Sequence, residues 1–238
     1  MRDGRELVRQ TKPFTVERRA ESWWHLLSTL TIFVAAFAIA LSPLPWIPRL
    51  IAGIIAGLVH IRVFILYHDF EHGAILEGSR VAKLLLRAYG LLALAPPSIW
   101  KETHDHHHRN NARRIGIDTI GSYPILTTDE WQRASRGTRM FYRVSRHPLT
   151  IALGYLTVFM WGFCLVPLRR NPRRRLDALA ALVIHFGLMA PLAFFWPAAL
   201  LFGFFVPILV ATALGSYLFY AQHNFPDAKL RFGEDWDY

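Results

Sequence analysis

The chain has 238 residues, 53% of them hydrophobic and 18% charged, against about 45–50% and about 25% for a soluble domain. The apolar residues are gathered into long continuous blocks, which excludes a disordered chain, a disulfide scaffold and a coiled coil, and makes a membrane-embedded protein the expected class. The formal charge of +10 would suit nucleic acid, but the basic residues flank apolar blocks, where orientation signals of membrane proteins belong, so no nucleic-acid partner is expected.

The first 20 residues, MRDGRELVRQTKPFTVERRA, are polar and basic. They read as a cytoplasmic arm (residues 1–20), not a cleavable signal peptide, ahead of a membrane unit over 21–238. Apolar blocks follow at about 23–41, 50–67, 81–97, 148–168, 178–195 and 198–221. At about 1.5 Å per residue, about 20 helical residues cross a core of about 30 Å. The first two blocks fit a crossing pair joined by the proline-rich turn Ser42–Pro48. Gly53 and Gly57 would let another helix approach the second closely.

Block 81–97 carries Lys83 and Arg87 on one face and ends at Pro96-Pro97, the pattern of a helix lying at the interface. If His68 and His72 before it share a site with the histidines after it, this block must return to its own side. The linker Arg169–Arg175, with five arginines, should be cytoplasmic by the positive-inside rule. Both constraints are met if 148–168 dips in without crossing while 178–195 and 198–221 form a hairpin. The expected fold is therefore an all-α membrane protein with about four transmembrane helices plus interfacial or re-entrant helices, a cytoplasmic histidine-rich cap and both termini in the cytoplasm. Of 27 Lys plus Arg, only Arg49 would fall in an outer loop, and Arg62, within the second block, would snorkel towards the cytoplasmic end. Cys164 is the single cysteine, so neither an internal disulfide nor a thiolate cluster forms.

The chain has 11 histidines. His68 and His72, at i and i+4, share a helical face, and from residue 50 His68 lies about 27 Å along the helix, at the edge of the apolar slab. His104, His107 and His108 fall at i, i+3 and i+4 on one stripe, with His106 pointing away. Five neighbouring imidazoles favour a first-row transition metal over calcium or magnesium. Asp69 and Asp105 each follow a candidate ligand and are placed either to fix a ring tautomer or on the helix surface. His223 leaves the last apolar block on the same side. His25, His60, His147 and His185 read as structural.

His68-Asp69-Phe70-Glu71-His72-Gly73, His104-Asp105-His106-His107-His108 behind Trp100, and Phe219–Phe225 closing the last apolar block together resemble the integral-membrane fatty acid desaturase family, the histidine-box diiron enzymes. The resemblance implies a metal site of His68, His72, His104, His107, His108 and His223, holding two iron ions and using dioxygen as cosubstrate, with no catalytic side chain beyond the ligands and no organic cofactor. It implies a membrane lipid or acyl substrate and an electron donor such as ferredoxin or a cytochrome b5-type protein. The family carries a further HxxHH box after the last membrane helix. None stands before Tyr238, so the sequence is expected to be the front part of a longer protein. Two other readings stay open. A lipid or carotenoid hydroxylase or ketolase would share the fold. A zinc membrane peptidase would use His68-x-x-Glu71-His72 as HxxEH, with Glu71 as general base.

Overall fold

In the computed structural model, residues 4–110 and 123–224 are described, and among them the chain is all helix and connection, without a strand. The arm is helical, α1 (Gly4–Thr11) and a 3₁₀ turn over Lys12–Thr15. Two long helices follow, α2 (Arg19–Leu41) and α3 (Trp46–Glu71), apolar on all sides as a bilayer requires. The turn between them is shorter than the proline pattern suggests. Pro48 lies inside the first turn of α3, where its missing N–H costs nothing. Arg49 is likewise not in a loop: it is buried in that first turn, its Nε donates to the Ala40 carbonyl at the end of α2 (3.0 Å), and its guanidinium lies 4.9 Å from the centre of the Phe202 ring. A cation there meets the negative end of α2. Arg62 does not snorkel but reaches sideways to Thr29 Oγ1 of α2 at 2.9 Å.

The next helix, α4 (Arg80–Leu92), has 13 residues, about 20 Å, too short to cross. Ser79 caps it by accepting from the Ala82 N–H. Ala82, Leu86 and Tyr89 face inward while Lys83 and Arg87 are exposed, the two-faced character expected of a helix lying flat. Tyr67 Oη donates to the Ala95 carbonyl (3.1 Å) and Tyr89 Oη to the His60 carbonyl (2.8 Å), pinning the C-terminal end of this excursion to α3. Pro97 then opens α5 (Pro97–Arg109), the helix bearing the second histidine group.

After two short amphipathic helices, α6 (Thr128–Arg133) and α7 (Arg136–Ser145), the chain turns inward through α8 (Pro148–Ala152), a π-helical stretch over Tyr155–Leu165, and α9 (Val166–Arg170). Its contacts trace a dip and return. Arg146 Nη1 donates to Asn224 Oδ1 at the histidine-bearing end. Tyr155 reaches His185 deep in α10 (Leu176–Phe195), with Oη and Nε2 2.6 Å apart. Phe163 is back beside Trp100, and Arg175 donates to Ser98. The segment thus enters and leaves at one end, as the parity of the histidine groups requires. The last span, Pro197–Ala221, combines α11 (Pro197–Leu200), a π turn over Leu201–Phe205 and α12 (Val206–Ala221).

Among the described residues four helices are long and apolar enough to cross a membrane: α2, α3, α10 and the Pro197–Ala221 unit. The bundle closes on glycines. A Cβ on Gly53 would stand 2.6 Å from the Phe202 carbonyl oxygen, and one on Gly57 would stand 2.8 Å from the Pro207 oxygen and 2.7 Å from Val210 Cβ. The small-residue pair therefore brings α3 against α12, backbone to backbone.

Candidate metal centre

The first histidine pair sits where α3 ends. His72 is the last residue of helical geometry and Gly73 takes φ +71°, the left-handed conformation that glycine adopts freely. The Gly73 N–H donates to the Phe70 carbonyl and the Ala74 N–H to that of Asp69, both at 2.9 Å, a Schellman closure. The glycine of the first box therefore stops the helix directly after its second histidine. Lys101 Nζ reaches the Glu71 carbonyl, tying this end to α5.

His68, His72, His104 and His108 converge, each offering a ring nitrogen within 4.8 Å of the others. The rings of His68 and His104 are 4.6 Å apart, as are those of His72 and His108, and the Nε2 atoms of His104 and His108 are separated by 3.0 Å. His107, one residue before His108, turns to another partner: its Nε2 is 2.8 Å from Nε2 of His223 at the end of α12. All six predicted histidines are thus brought to one end of the bundle, as a group of four and a pair. The His104 and His107 rings are 6.2 Å apart across the division. Imidazole nitrogens about 3 Å apart suit neighbouring ligands of one ion at about 2.0–2.1 Å.

The tautomers are arranged for this. His68 Nδ1 is 2.8 Å from Asp69 Oδ1, and His223 Nδ1 is 2.9 Å from the Phe219 carbonyl oxygen. Each acceptor holds the proton on Nδ1 and leaves the Nε2 lone pair directed at the group. Of the two aspartates considered, Asp69 takes this role. Asp105 does not, pairing instead with Lys101 at 3.2 Å. Burial, and then the neighbouring imidazoles His68 and His108, push His104 down to about 2. Burial, followed by His223, pushes His107 down to about 4. His72 and His108 are lowered too, first by burial and next by His68. Their neutral forms dominate near neutral pH, the form a metal ion takes. A donor set of imidazoles without thiolate fits a borderline first-row ion.

Glu71 lies outside this group. Its carboxylate, 6% exposed, pairs with Arg87 of α4 at 3.2 Å. The sequence did not show which contacts hold the site in place. Trp100 stacks on His104 (ring centres 4.5 Å apart, 19° between planes) and packs against Phe64, Phe163 and Phe219. Its i to i+4 spacing from His104 was the available signal. Asp177, at the start of α10, accepts from the Ser98 N–H and hydroxyl, both at 2.8 Å, while Arg175 bridges Ser98 to Glu102. Arg146 joins the Pro124 carbonyl, Asn224 and Tyr220 beside His223. Apart from Trp100 and His104, none of these partners is near in sequence.

From the histidines a cavity of about 1030 Å³ runs inward between α3, α12 and the dipping segment, at the upper end of the range for small-molecule sites. Ile61, Phe64, Ile65, Leu156, Trp161 and Leu218 give its walls an apolar character. His25 is exposed, His147 accepts from the Leu149 N–H as a helix cap, and His185 bonds Tyr155. These three stay outside the histidine groups.

The chain is similar to a protein named fatty acid desaturase from Bacillus subtilis (strain 168), 29% identical over 242 residues that span 98% of this chain and 67% of that protein. The sequence model of the fatty acid desaturase family matches residues 44–238. That match takes in both histidine groups, the dipping segment and the helix ending at His223, and by it the chain belongs to the fatty acid desaturase family.

Proposed function

We propose that the chain is an acyl-lipid desaturase, which uses two histidine-held iron ions and dioxygen to introduce a double bond into a membrane acyl chain. The observation that carries this is the junction of six convergent imidazoles with an apolar cavity leading into the bundle. A methylene pair in a lipid tail has no acidic proton, so general acid–base chemistry by side chains does not reach it. Two iron ions held by these histidines would supply the activation of dioxygen that such a bond demands. In the balanced reaction two hydrogens leave the chain, and two electrons with two protons from a donor complete the reduction of dioxygen to two waters.

The protein's own part is holding and excluding. His68, His72, His104 and His108 would hold one ion, and His107 and His223 would contribute to the second. Asp69 and the Phe219 carbonyl keep the His68 and His223 rings in the binding tautomer. Trp100, Phe64, Phe163 and Phe219 wall the inner side and keep water from the reacting carbons. The histidine-bearing end faces the cytoplasm in this reading. The exposed arginines Arg169, Arg170, Arg173 and Arg174 would meet an acidic electron carrier of the ferredoxin or cytochrome b5 type there.

The test combines metal analysis with product mass. Purified full-length protein supplied with an acyl lipid, dioxygen and reduced donor should carry iron and yield a chain lighter by two hydrogens. A chain heavier by one oxygen would identify a hydroxylase, and stoichiometric zinc without iron would overturn the proposal. Glu71→Gln separates the peptidase reading in the same assay. Because Glu71 pairs with Arg87 outside the histidine group, this variant should keep its iron and most of its turnover. A general base replaced by an amide would instead abolish peptidase activity.

A further inference from the structure

His60 is a membrane-depth histidine that the metal centre does not use. It sits on α3 about 12 Å before His68 along the helix axis, at about 1.5 Å per residue. It is 8% exposed and lines the inner cavity. Its ring is fixed by edge contacts, 5.7 Å from Phe33 and 5.1 Å from Tyr89 between ring centres. Among the described residues neither ring nitrogen has a hydrogen-bond partner. The nearest candidate, the Tyr89 hydroxyl, donates to the main-chain carbonyl of His60 instead, at 2.8 Å.

Two other hydroxyls of the cavity wall are committed to the main chain. Thr212 donates to the Ile208 carbonyl at 2.6 Å and Thr157 to that of Thr150 at 3.1 Å. The imidazole is therefore left with an uncommitted donor and an uncommitted acceptor in apolar surroundings. The ring nitrogens are not among the sealed polar atoms of the protein but open onto the cavity, where an apolar occupant would leave them unpaired at a cost that a phenylalanine of similar shape would not carry. A lone water is a poor occupant, because a buried water needs two to four polar partners.

We infer that His60 forms a polar subsite at the inner end of the cavity that hydrogen-bonds an oxygen, most simply a hydroxyl group, on the distal part of the substrate's acyl chain. The inference rests on reading the cavity as an acyl-chain site. It makes His60 a residue that selects for oxygenated chains and fixes how far a chain advances past the metal centre. An imidazole in its uncharged form matches a hydroxyl in both senses, accepting its proton and donating to its lone pair. A plain hydrocarbon tail leaves both nitrogens unpaired.

The test is displacement of a fluorescent polyene acyl probe from the metal-loaded full chain in detergent. The competitors are octadecanoyl lysophosphatidylglycerols, one plain and the others carrying a single hydroxyl moved carbon by carbon along the distal half. The wild-type protein should show one hydroxyl position that binds on the order of two- to tenfold more tightly than the plain chain, the range of one net hydrogen bond, with neighbouring positions weaker. His60→Phe should flatten this profile, and His60→Gln, which keeps a donor and an acceptor, should retain part of the maximum. A flat profile in the wild type, or a maximum that survives in His60→Phe, overturns the inference while plain chains still compete. If His60→Phe yields no monodisperse protein, the wild-type profile decides alone. Failure of every chain, plain or hydroxylated, to displace the probe overturns the acyl-chain reading itself.

Discussion

In the full-length protein, His107→Ala is expected to reduce turnover below detection and to remove most of the bound iron, measured by elemental analysis of the purified protein. Among the described residues, His107 of α5 meets His223, with the two Nε2 atoms 2.8 Å apart. Deleting its imidazole leaves His223 alone at that position. The adjacent His108 cannot substitute, because successive helical residues point about 100° apart and its ring is already engaged with His72 and His104. Loss of an outer partner of a ligand typically costs about 10–100-fold in metal affinity, and loss of a ligand itself should exceed that. Asp105→Asn is the control on the same helix. Asp105 pairs with Lys101 at the surface, so its amide should leave iron content unchanged. Full iron and turnover in His107→Ala would show that the pair with His223 is no metal position.

Gly57→Leu should be a strongly damaging change at a distance from the histidines. Even a Cβ there would meet Val210 Cβ at 2.7 Å and the Pro207 oxygen at 2.8 Å, distances that backbone cannot relieve by a rotamer change. Overpacking in a close-packed core costs about 1–3 kcal/mol, and here the displaced element is a whole span. Because α3 carries His68 and His72 and α12 leads to His223, pushing the two helices apart should also pull His223 from His107. Two readouts are therefore expected to fall together: the thermal midpoint in detergent and the iron content. Gly187→Leu on α10 is the matched control, since a Cβ at Gly187 meets nothing within 4 Å. Equal behaviour of the two variants would mean that the Gly53–Gly57 contact does not set the spacing of the site.

Much of the architecture was legible in the chain because it depends on local periodicity. The length of each apolar block fixes what crosses, the shortness of Arg80–Leu92 and its charged face keep it from crossing, and i to i+4 spacing puts His68 with His72 and His104 with His108 on shared faces. Even the dip of Tyr155–Leu165 followed from requiring all the histidine groups at one end. Helix boundaries were less legible. The run of prolines suggested a turn reaching residue 48, whereas α3 starts at Trp46, since a proline in a first helical turn gives up no hydrogen bond.

The amino-acid order by itself thus determined an all-helical membrane fold, the side-by-side placement of its histidines, and the glycines at which two spans meet. The tertiary structure alone decided how those histidines are shared: His107 and His108 are neighbours in the chain yet serve different groups, because α12 delivers His223 to one face of α5 and α3 delivers His68 and His72 to another. It alone turned Glu71 to Arg87, chose Asp69 over Asp105 as the ring partner, and joined Ser98 to Asp177 and Arg146 to Asn224. The physical reason is common to all of these. A residue's face on its own helix follows from a repeat of 3.6, but its partner on another helix follows from how the helices pack, and that is fixed only when the whole bundle closes.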